Sequence, residues 1–213
     1  MKCHICSRST QSFCDEKTAI VYHLCDSCEY LFKDPSEYRS IEEQKMRYDL
    51  HENDENSADY RAYFQRFLDF VLPAAGEPKT ALDFGCGSST LLANILNSMN
   101  IQTDVYDPIY YPEKCYDSKK YDIIVSVEVF EHLHDPNRLF SHLVSHLNEG
   151  GCIAIQTQFH PCDISTFKQW YYHKDPTHIV FFRPRTFAVL AEKYGCKLLA
   201  DNGKNMVVLR KKS

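Results

Sequence analysis

The stretch Thr80-Ala81-Leu82-Asp83-Phe84-Gly85-Cys86-Gly87-Ser88-Ser89-Thr90 decides the fold. A short apolar run ends in an acid, two glycines permit a tight turn, and Leu91, Leu92, Ile95, Leu96 and Met99 then recur at helical spacing. The missing glycine side chains let a ligand lie against backbone at a helix N-terminus. Thr103 to Asp107 reads as a second strand, and Asp107 follows Asp83 at about the spacing at which a carboxylate meets ribose hydroxyls. A dehydrogenase fingerprint would need a third glycine where Thr90 stands.

Downstream, Tyr121 to Val127 reads as a third strand. Asp135-Pro136 opens a helix with Leu139, Phe140, Leu143, Val144 and Leu147 on one face, and Gly150-Gly151 is expected to stop it. Cys152 to Phe159 is another buried strand, a helix from Pro184 to Tyr194 ends at Gly195, and Asn202-Gly203 signals a hairpin. The expected fold is α/β, a Rossmann-like parallel sheet closed by a C-terminal antiparallel hairpin. From Lys79 to Lys212 this resembles the class I S-adenosylmethionine-dependent methyltransferases. The pieces that carry the resemblance are Leu82-Asp-Phe-Gly-Cys-Gly87, the acid at Asp107, the run from Tyr121 through Glu128-Val-Phe-Glu-His-Leu133, and Asn148-Glu-Gly-Gly151.

The resemblance implies that Asp83, Gly85, Cys86 and Gly87 face the methionine part of S-adenosylmethionine. It puts Asp107 on the ribose hydroxyls, and Val127 and Glu128 beside the sulfonium. The chain departs from the family between Asp107 and Tyr121, where the family fits a helix, a strand and a loop. A parallel crossover alone takes about a dozen residues, so the edge strand is expected to be missing or degenerate, and the adenine-binding acid is unassigned.

With 213 residues and 44% hydrophobic content the chain can bury an ordinary core. Its net charge of −5 gives no general pull toward nucleic acid. No apolar run reaches membrane-spanning length, and Met1-Lys-Cys-His-Ile-Cys6 begins no secretory segment. A cytoplasmic location is expected, where ten cysteines stay reduced and metal binding is favoured over disulfides. Cys3-x-x-Cys6 and Cys25-x-x-Cys28 have the paired spacing of a structural Zn²⁺ site, with Ile20 to Leu24 as a strand leading to the second knuckle. Residues 1–35 are therefore expected to form a zinc ribbon held largely by its metal, and the catalytic domain to fold without that zinc. His4 and Cys14 lack the paired spacing; Cys86, Cys115, Cys152, Cys162 and Cys196 read as packed thiols.

Residues 36–78 read as a linker and a cap helix, begun by Ser57, bearing Tyr60, Tyr63, Phe64, Phe67, Leu68, Val71 and Leu72, and ended by Pro73. The methyltransferase domain then occupies 79–213. His51 and Tyr60 are candidate substrate contacts, although His51 fits a solvated linker equally well.

The chemistry concentrates in Glu128-Val-Phe-Glu131-His132, after the third strand. One helical turn would converge these side chains, and the long segment after Phe159 could bring His178 over them. Glu-x-x-Glu-His with a distant histidine is similar to the small-RNA 2′-O-methyltransferases and the ubiquinone-pathway O-methyltransferases. By that resemblance Glu128, Glu131, His132 and His178 hold a second divalent metal, which Mg²⁺, Mn²⁺, Fe²⁺ or Zn²⁺ would suit. A metal-free reading makes His132 or His178 the catalytic base, oriented by Glu128 or Glu131. A third has Glu128 touching ligand, Glu131 capping the turn and the histidines packing.

The expected function is methyl transfer to a small-molecule acceptor, at a hydroxyl, under an aromatic lid of Tyr171, Tyr172 and Phe181, with Tyr172 touching substrate. An RNA methyltransferase whose ribbon reads RNA is the alternative; the acidic balance and a ribbon poor in basic residues disfavour it. The chain also lacks the Asn-Pro-Pro-Tyr type of motif used on base amines. A non-catalytic cofactor-binding module ranks last, because Gly85, Gly87, Asp107 and the Glu-His loop are intact. The sequence sets no oligomeric state.

Overall fold

The computed structural model describes residues 1–38 and 57–212. The proposed contact at His51 lies outside them.

Three strands, β1 (Gln11–Asp15), β2 (Ile20–Cys25) and β3 (Tyr30–Lys33), precede α1 (Ala58–Ala75). The larger part follows as β4 (Thr80–Phe84), α2 (Leu91–Ser98), β5 (Gln102–Tyr106), β6 (Tyr121–Val127), α3 (Pro136–Ser145) and β7 (Leu147–Gln156). After them come a short α4 (Ile164–Phe167), β8 (Val180–Phe181), α5 (Pro184–Lys193), β9 (Cys196–Asp201) and β10 (Met206–Lys211).

The main sheet runs β5-β4-β6-β7-β10-β9. The first four strands are parallel neighbours and β10 is antiparallel to both β7 and β9. Phe64, Phe67, Leu68 and Val71 of α1 pack with Leu92, Ile95 and Leu96 of α2 in one buried cluster, while Phe140, Leu143, Phe187 and Leu190 from α3 and α5 lie in another. The result is a three-layer α/β fold in which ligands belong at the C-terminal ends of the parallel strands. No described helix is long and apolar enough to cross a membrane.

Among the described residues β5 is the outermost strand on its side, and residues 108–120 add only an isolated bridge between Asp107 and Tyr111. The edge strand is thus absent there, and the loop covers the edge instead. The Cys115 thiol donates to the Val105 carbonyl at 3.4 Å, and Lys119 Nζ and the Tyr121 hydroxyl reach Asp104 at 2.7 and 2.6 Å.

Several local expectations are corrected. Pro73 does not end α1, which continues to Ala75 and closes with the Gly76 amide donating to the Leu72 carbonyl; a proline in the last turn removes one helical donor without stopping the chain. Met99 falls beyond α2 and is exposed. Gly150-Gly151 lies inside β7 rather than at the end of α3, and Leu147 opens that strand. Gly150 has φ +75°, and a Cβ on Gly151 would press on the carbonyl oxygens of Asn148 and Tyr121. The C-terminal hairpin turns through Asn202 to Asn205 because Asn202 Oδ1 accepts the amides of Lys204, Asn205 and Met206. All ten cysteines are free thiols, and Cys115 and Cys162 are exposed rather than packed.

The ribbon is fused to the rest of the molecule. Its sheet has the order β1-β2-β3-β8, with Leu31 opposite Phe181 and Phe32 opposite Val180. Cys3, Ile5, Tyr30 and Phe32 share one buried cluster with Phe130, Phe182 and Phe187. This packing makes the ribbon part of the same buried core as the main sheet. A chain beginning at residue 36 would expose the β8 edge and the aromatic surface of Phe181 and Phe182, and unpaired edges beside apolar surface aggregate. We expect that truncated chain to be largely insoluble, or to melt more than about 10 °C below the full chain, in a thermal scan followed by circular dichroism.

Candidate functional site

A cavity of about 1460 Å³ opens at the C-terminal ends of β4, β5 and β6. It is lined by Asp83, Gly85, Cys86, Gly87 and Asp107, by Glu128, Glu131, His132, Tyr172 and His178, and by Tyr60 and Tyr63 of α1.

The glycine turn is built tightly. The amides of Gly85 and Cys86 both donate to the Tyr106 carbonyl, at 2.7 and 3.2 Å. Gly85 has φ +80° and a Cβ there would collide with the side chain of Val129, so both conformation and space require glycine. Asp107 is buried, and its carboxylate accepts the amides of Gly87 at 3.1 Å, Ile109 at 2.8 Å and Tyr110 at 3.0 Å. Three of about four lone-pair positions are so used, leaving one for a ligand hydroxyl. Burial, and then the charge of Asp107, push the Asp83 carboxyl up to about 7. Val127 ends β6 on the cavity wall.

At the end of β6 the chain turns sharply. Glu128 takes φ +54°, an uncommon conformation for a side-chain-bearing residue that costs on the order of 1 kcal/mol. A single 3-10 turn over Phe130–His132 follows. The Glu128 carboxylate accepts from Tyr63 at 3.2 Å and Tyr172 at 2.8 Å, with Gln156 Nε2 at 3.5 Å; Gln156 Nε2 also donates to the Tyr63 hydroxyl. Glu131 is 0% exposed, and its Oε1 lies 2.6 Å from the same Tyr172 hydroxyl while its Oε2 is buried with no hydrogen-bond partner. Burial and the charge of Glu131 push Glu128 up to about 8, and burial raises Glu131. Tyr172 has one proton for two carboxylates. The second contact is favourable only when one carboxyl is protonated or a cation neutralises the pair.

The two imidazoles are each anchored to the lid backbone. His132 Nδ1 lies 3.0 Å from the Thr177 carbonyl and His178 Nδ1 2.8 Å from the Tyr172 carbonyl. Carbonyls only accept, so each Nδ1 carries a proton, and in its neutral form each imidazole turns the Nε2 lone pair away from that anchor. Burial, and then His132, hold His178 down to about 3. The ligand atoms of Glu131, His132 and His178 lie within 4.8 Å of one another. Two lone-pair nitrogens fixed through their other nitrogen, and a carboxylate with an orphaned oxygen, fit a divalent cation as a donor set.

Of the four residues expected to share that site, the fold brings Glu131, His132 and His178 together, while Glu128 stands beside them in the Tyr63–Tyr172–Gln156 network. Tyr60 and Tyr172 line the cavity. Tyr171 is 67% exposed at its mouth, but Phe181 is withdrawn from the lid into a cluster with Tyr22, Leu31 and Phe167. Tyr63 and Gln156 were not singled out as site residues by sequence. Tyr63 sits on the apolar face of α1 and reads as core, and Gln156 is one polar residue at the end of a buried strand; only its burial beside a carboxylate gives it away.

In the ribbon Cys3, Cys6, Cys25 and Cys28 bring their sulfurs within 4.8 Å of one another, with Cys3–Cys28 at 3.5 Å and Cys6–Cys25 at 3.4 Å. Four thiols so placed suit a tetrahedral metal.

A family model described as a methyltransferase domain matches residues 56–201, more than half of the chain. No curated protein matches significantly. Among solved structures, an O-methyltransferase family protein from Burkholderia thailandensis is similar over 80% of this chain and 63% of its own, with TM-score 0.55 and 13% identity. The mitomycin 7-O-methyltransferase MmcR is similar over 73% and 58%, with TM-score 0.50 and 15% identity. The chain thus spans about three fifths of the length of both, and at these identities the likeness is one of fold.

Since Gly85 is fixed by φ and by Val129, Gly85→Ala should cost about 1–3 kcal/mol. A thermal melt should fall by roughly 2–4 °C per kcal/mol; an unchanged melting temperature would mean that the turn can relax.

Proposed function

The chain belongs to this methyltransferase family and is an S-adenosylmethionine-dependent methyltransferase, and from that premise we propose that it methylates a hydroxyl of a small-molecule acceptor with help from a divalent cation. The observation that carries the reading is the convergence of Glu131, His132 and His178 in the cavity that the glycine turn also lines. In this reading Asp83, Gly85, Cys86 and Gly87 hold the methionine end of the cofactor, Asp107 offers its remaining lone pair to a ribose hydroxyl, and Val127 borders the methyl group. The cofactor supplies an electrophilic methyl on a sulfonium. A cation on the triad would lower the pKa of an acceptor hydroxyl and fix its position.

The chain's own residues do the rest. Tyr63, Tyr172 and Gln156 hold Glu128 at the strand end, where it can accept a hydrogen bond from acceptor or cofactor. Tyr60 and Tyr171 frame the mouth with flat apolar surface suited to a planar acceptor. A small-molecule partner agrees with the net charge of −5, which offers a polyanion no attraction. The reading extends to the ribbon, where Cys3, Cys6, Cys25 and Cys28 are proposed to hold one structural Zn²⁺.

Incubating the protein with S-adenosylmethionine and a panel of catechols and vicinal diols, with Mg²⁺ or Mn²⁺, should yield methyl ethers by mass spectrometry. EDTA and His178→Ala should each lower turnover by about 100-fold or more. Full turnover under both conditions would remove the metal from the reaction. Purified protein should separately carry about one tightly held zinc, lost in the double variant Cys25→Ser, Cys28→Ser, by elemental analysis.

A further inference from the structure

No ribbon residue lines the cavity, yet the ribbon is bonded to the segment that carries His178. Lys33, the last residue of β3, is 2% exposed, and its Nζ donates to the Asp175 carbonyl at 3.0 Å. The same oxygen accepts the backbone amide of His178 at 3.2 Å. A carbonyl has two lone pairs, so one acceptor ties a ribbon ammonium directly to the backbone of a site histidine. The Asp175 side chain secures the same turn, accepting the Thr177 amide at 2.9 Å and its hydroxyl at 2.6 Å; the Thr177 carbonyl in turn meets His132.

Further bonds converge on this strip. The Lys33 amide donates to the Ile179 carbonyl at 2.8 Å, and the Ile179 amide donates to the Glu131 carbonyl at 2.8 Å. The lid strand therefore lies between β3 and the Glu131 turn, bonded to both. Tyr22 of β2 meets His173 Nδ1 at 3.0 Å, beside Tyr172. The cysteine knuckles are gripped from the catalytic side as well: Thr186 Oγ1 donates to the Cys28 carbonyl at 2.9 Å and His160 Nε2 lies 2.7 Å from the Glu29 carbonyl.

We propose that the ribbon is a working part of the catalytic site, with Lys33 as a positioning residue that holds segment 172–179, and so Tyr172 and His178, in register with Glu131 and His132. It rests on the reading of that cavity wall as the reacting end. A buried ammonium held by a backbone carbonyl is a strong bond to lose, since charge-assisted hydrogen bonds exceed neutral ones. Without it the lid segment keeps its covalent path but loses its fixed distance from the Glu131 turn.

The test replaces Lys33 with Met, which keeps length and removes the donor. Hydrogen exchange followed by mass spectrometry should show amides of residues 172–179 exchanging about tenfold faster, with β4 and β6 unchanged. Mn²⁺ affinity, read by electron paramagnetic resonance on protein lacking other added metal, should weaken about tenfold, while S-adenosylmethionine affinity by calorimetry stays within about twofold. Tyr22→Phe, which deletes one hydroxyl and leaves packing intact, should speed exchange at residues 172–174 alone and provides the reading should Lys33→Met fail to fold. Unchanged exchange across 172–179 in the folded variants, or equal acceleration throughout the main sheet, overturns the proposal. If the wild-type chain and His178→Ala bind Mn²⁺ equally poorly, the metal reading fails by itself, and the exchange pattern still decides the role of Lys33.

Discussion

Two carboxylates buried side by side at the end of β6 are the constraint around which the site is organised. Placing Glu131 at 0% exposure next to a nearly buried Glu128 is costly unless both are hydrogen-bonded and the pair is neutralised. Each neighbouring element answers that cost. The cap helix sends Tyr63, β7 ends in Gln156, and the lid sends Tyr172 across both acids. What this network leaves over is one oxygen of Glu131, buried and without a partner, beside two imidazoles whose Nδ1 atoms face carbonyls. A cation at that point would meet the remaining demand for charge and for coordination together.

The position of the ribbon follows from the same demand. The lid segment between Phe159 and Arg183 has only a four-residue helix, a single 3-10 turn and a two-residue strand, too little regular structure to fix Tyr172 and His178 on its own. By pairing with β3 it becomes the fourth strand of a sheet whose β2–β3 turn carries two of the four clustered thiols, Cys25 and Cys28. A ribbon of this size has little core of its own, and it in turn gains one by burying Tyr30 and Phe32 against Phe130, Phe182 and Phe187. The dependence is mutual: each part lacks an element that the other supplies.

The sequence made the first of these levels readable and hid the second. Asp83, Gly85, Gly87 and Asp107 were legible because a tight turn at a strand end demands particular residue types at particular offsets, and local geometry leaves few alternatives. The missing edge strand was legible from length alone, since the chain between Asp107 and Tyr121 is too short for a second crossover. The Glu-x-x-Glu-His turn was legible as a cluster, but not in its division of labour. Whether Glu128 joins the other three depends on Tyr63 and Tyr172, which arrive from elements far away in sequence. Periodicity assigned Tyr63 to the core because a tyrosine ring satisfies an apolar face while its hydroxyl is free to do something else. The errors at Pro73, Met99 and Gly150-Gly151 are of another kind, boundary shifts of a few residues that change no side chain at the site.

Lys33 shows where local reading ends. It closes a strand, Tyr30–Lys33, that is buried along its whole length, and lysine is almost never fully buried without a partner. Its burial is imposed by the two-residue strand Val180–Phe181, about 150 residues downstream, which no local pattern links to it. Once that pairing forms, the ammonium is enclosed and must be satisfied by acceptors within reach, one of which is the carbonyl that also holds His178. The non-local pairing that makes Lys33 invisible to sequence reasoning is thus the same contact that gives it a part in the site. In a fold where the catalytic strand ends are reached through a weakly structured lid, residues that position the chemistry are to be sought on whichever element that lid pairs with, rather than within the cavity alone.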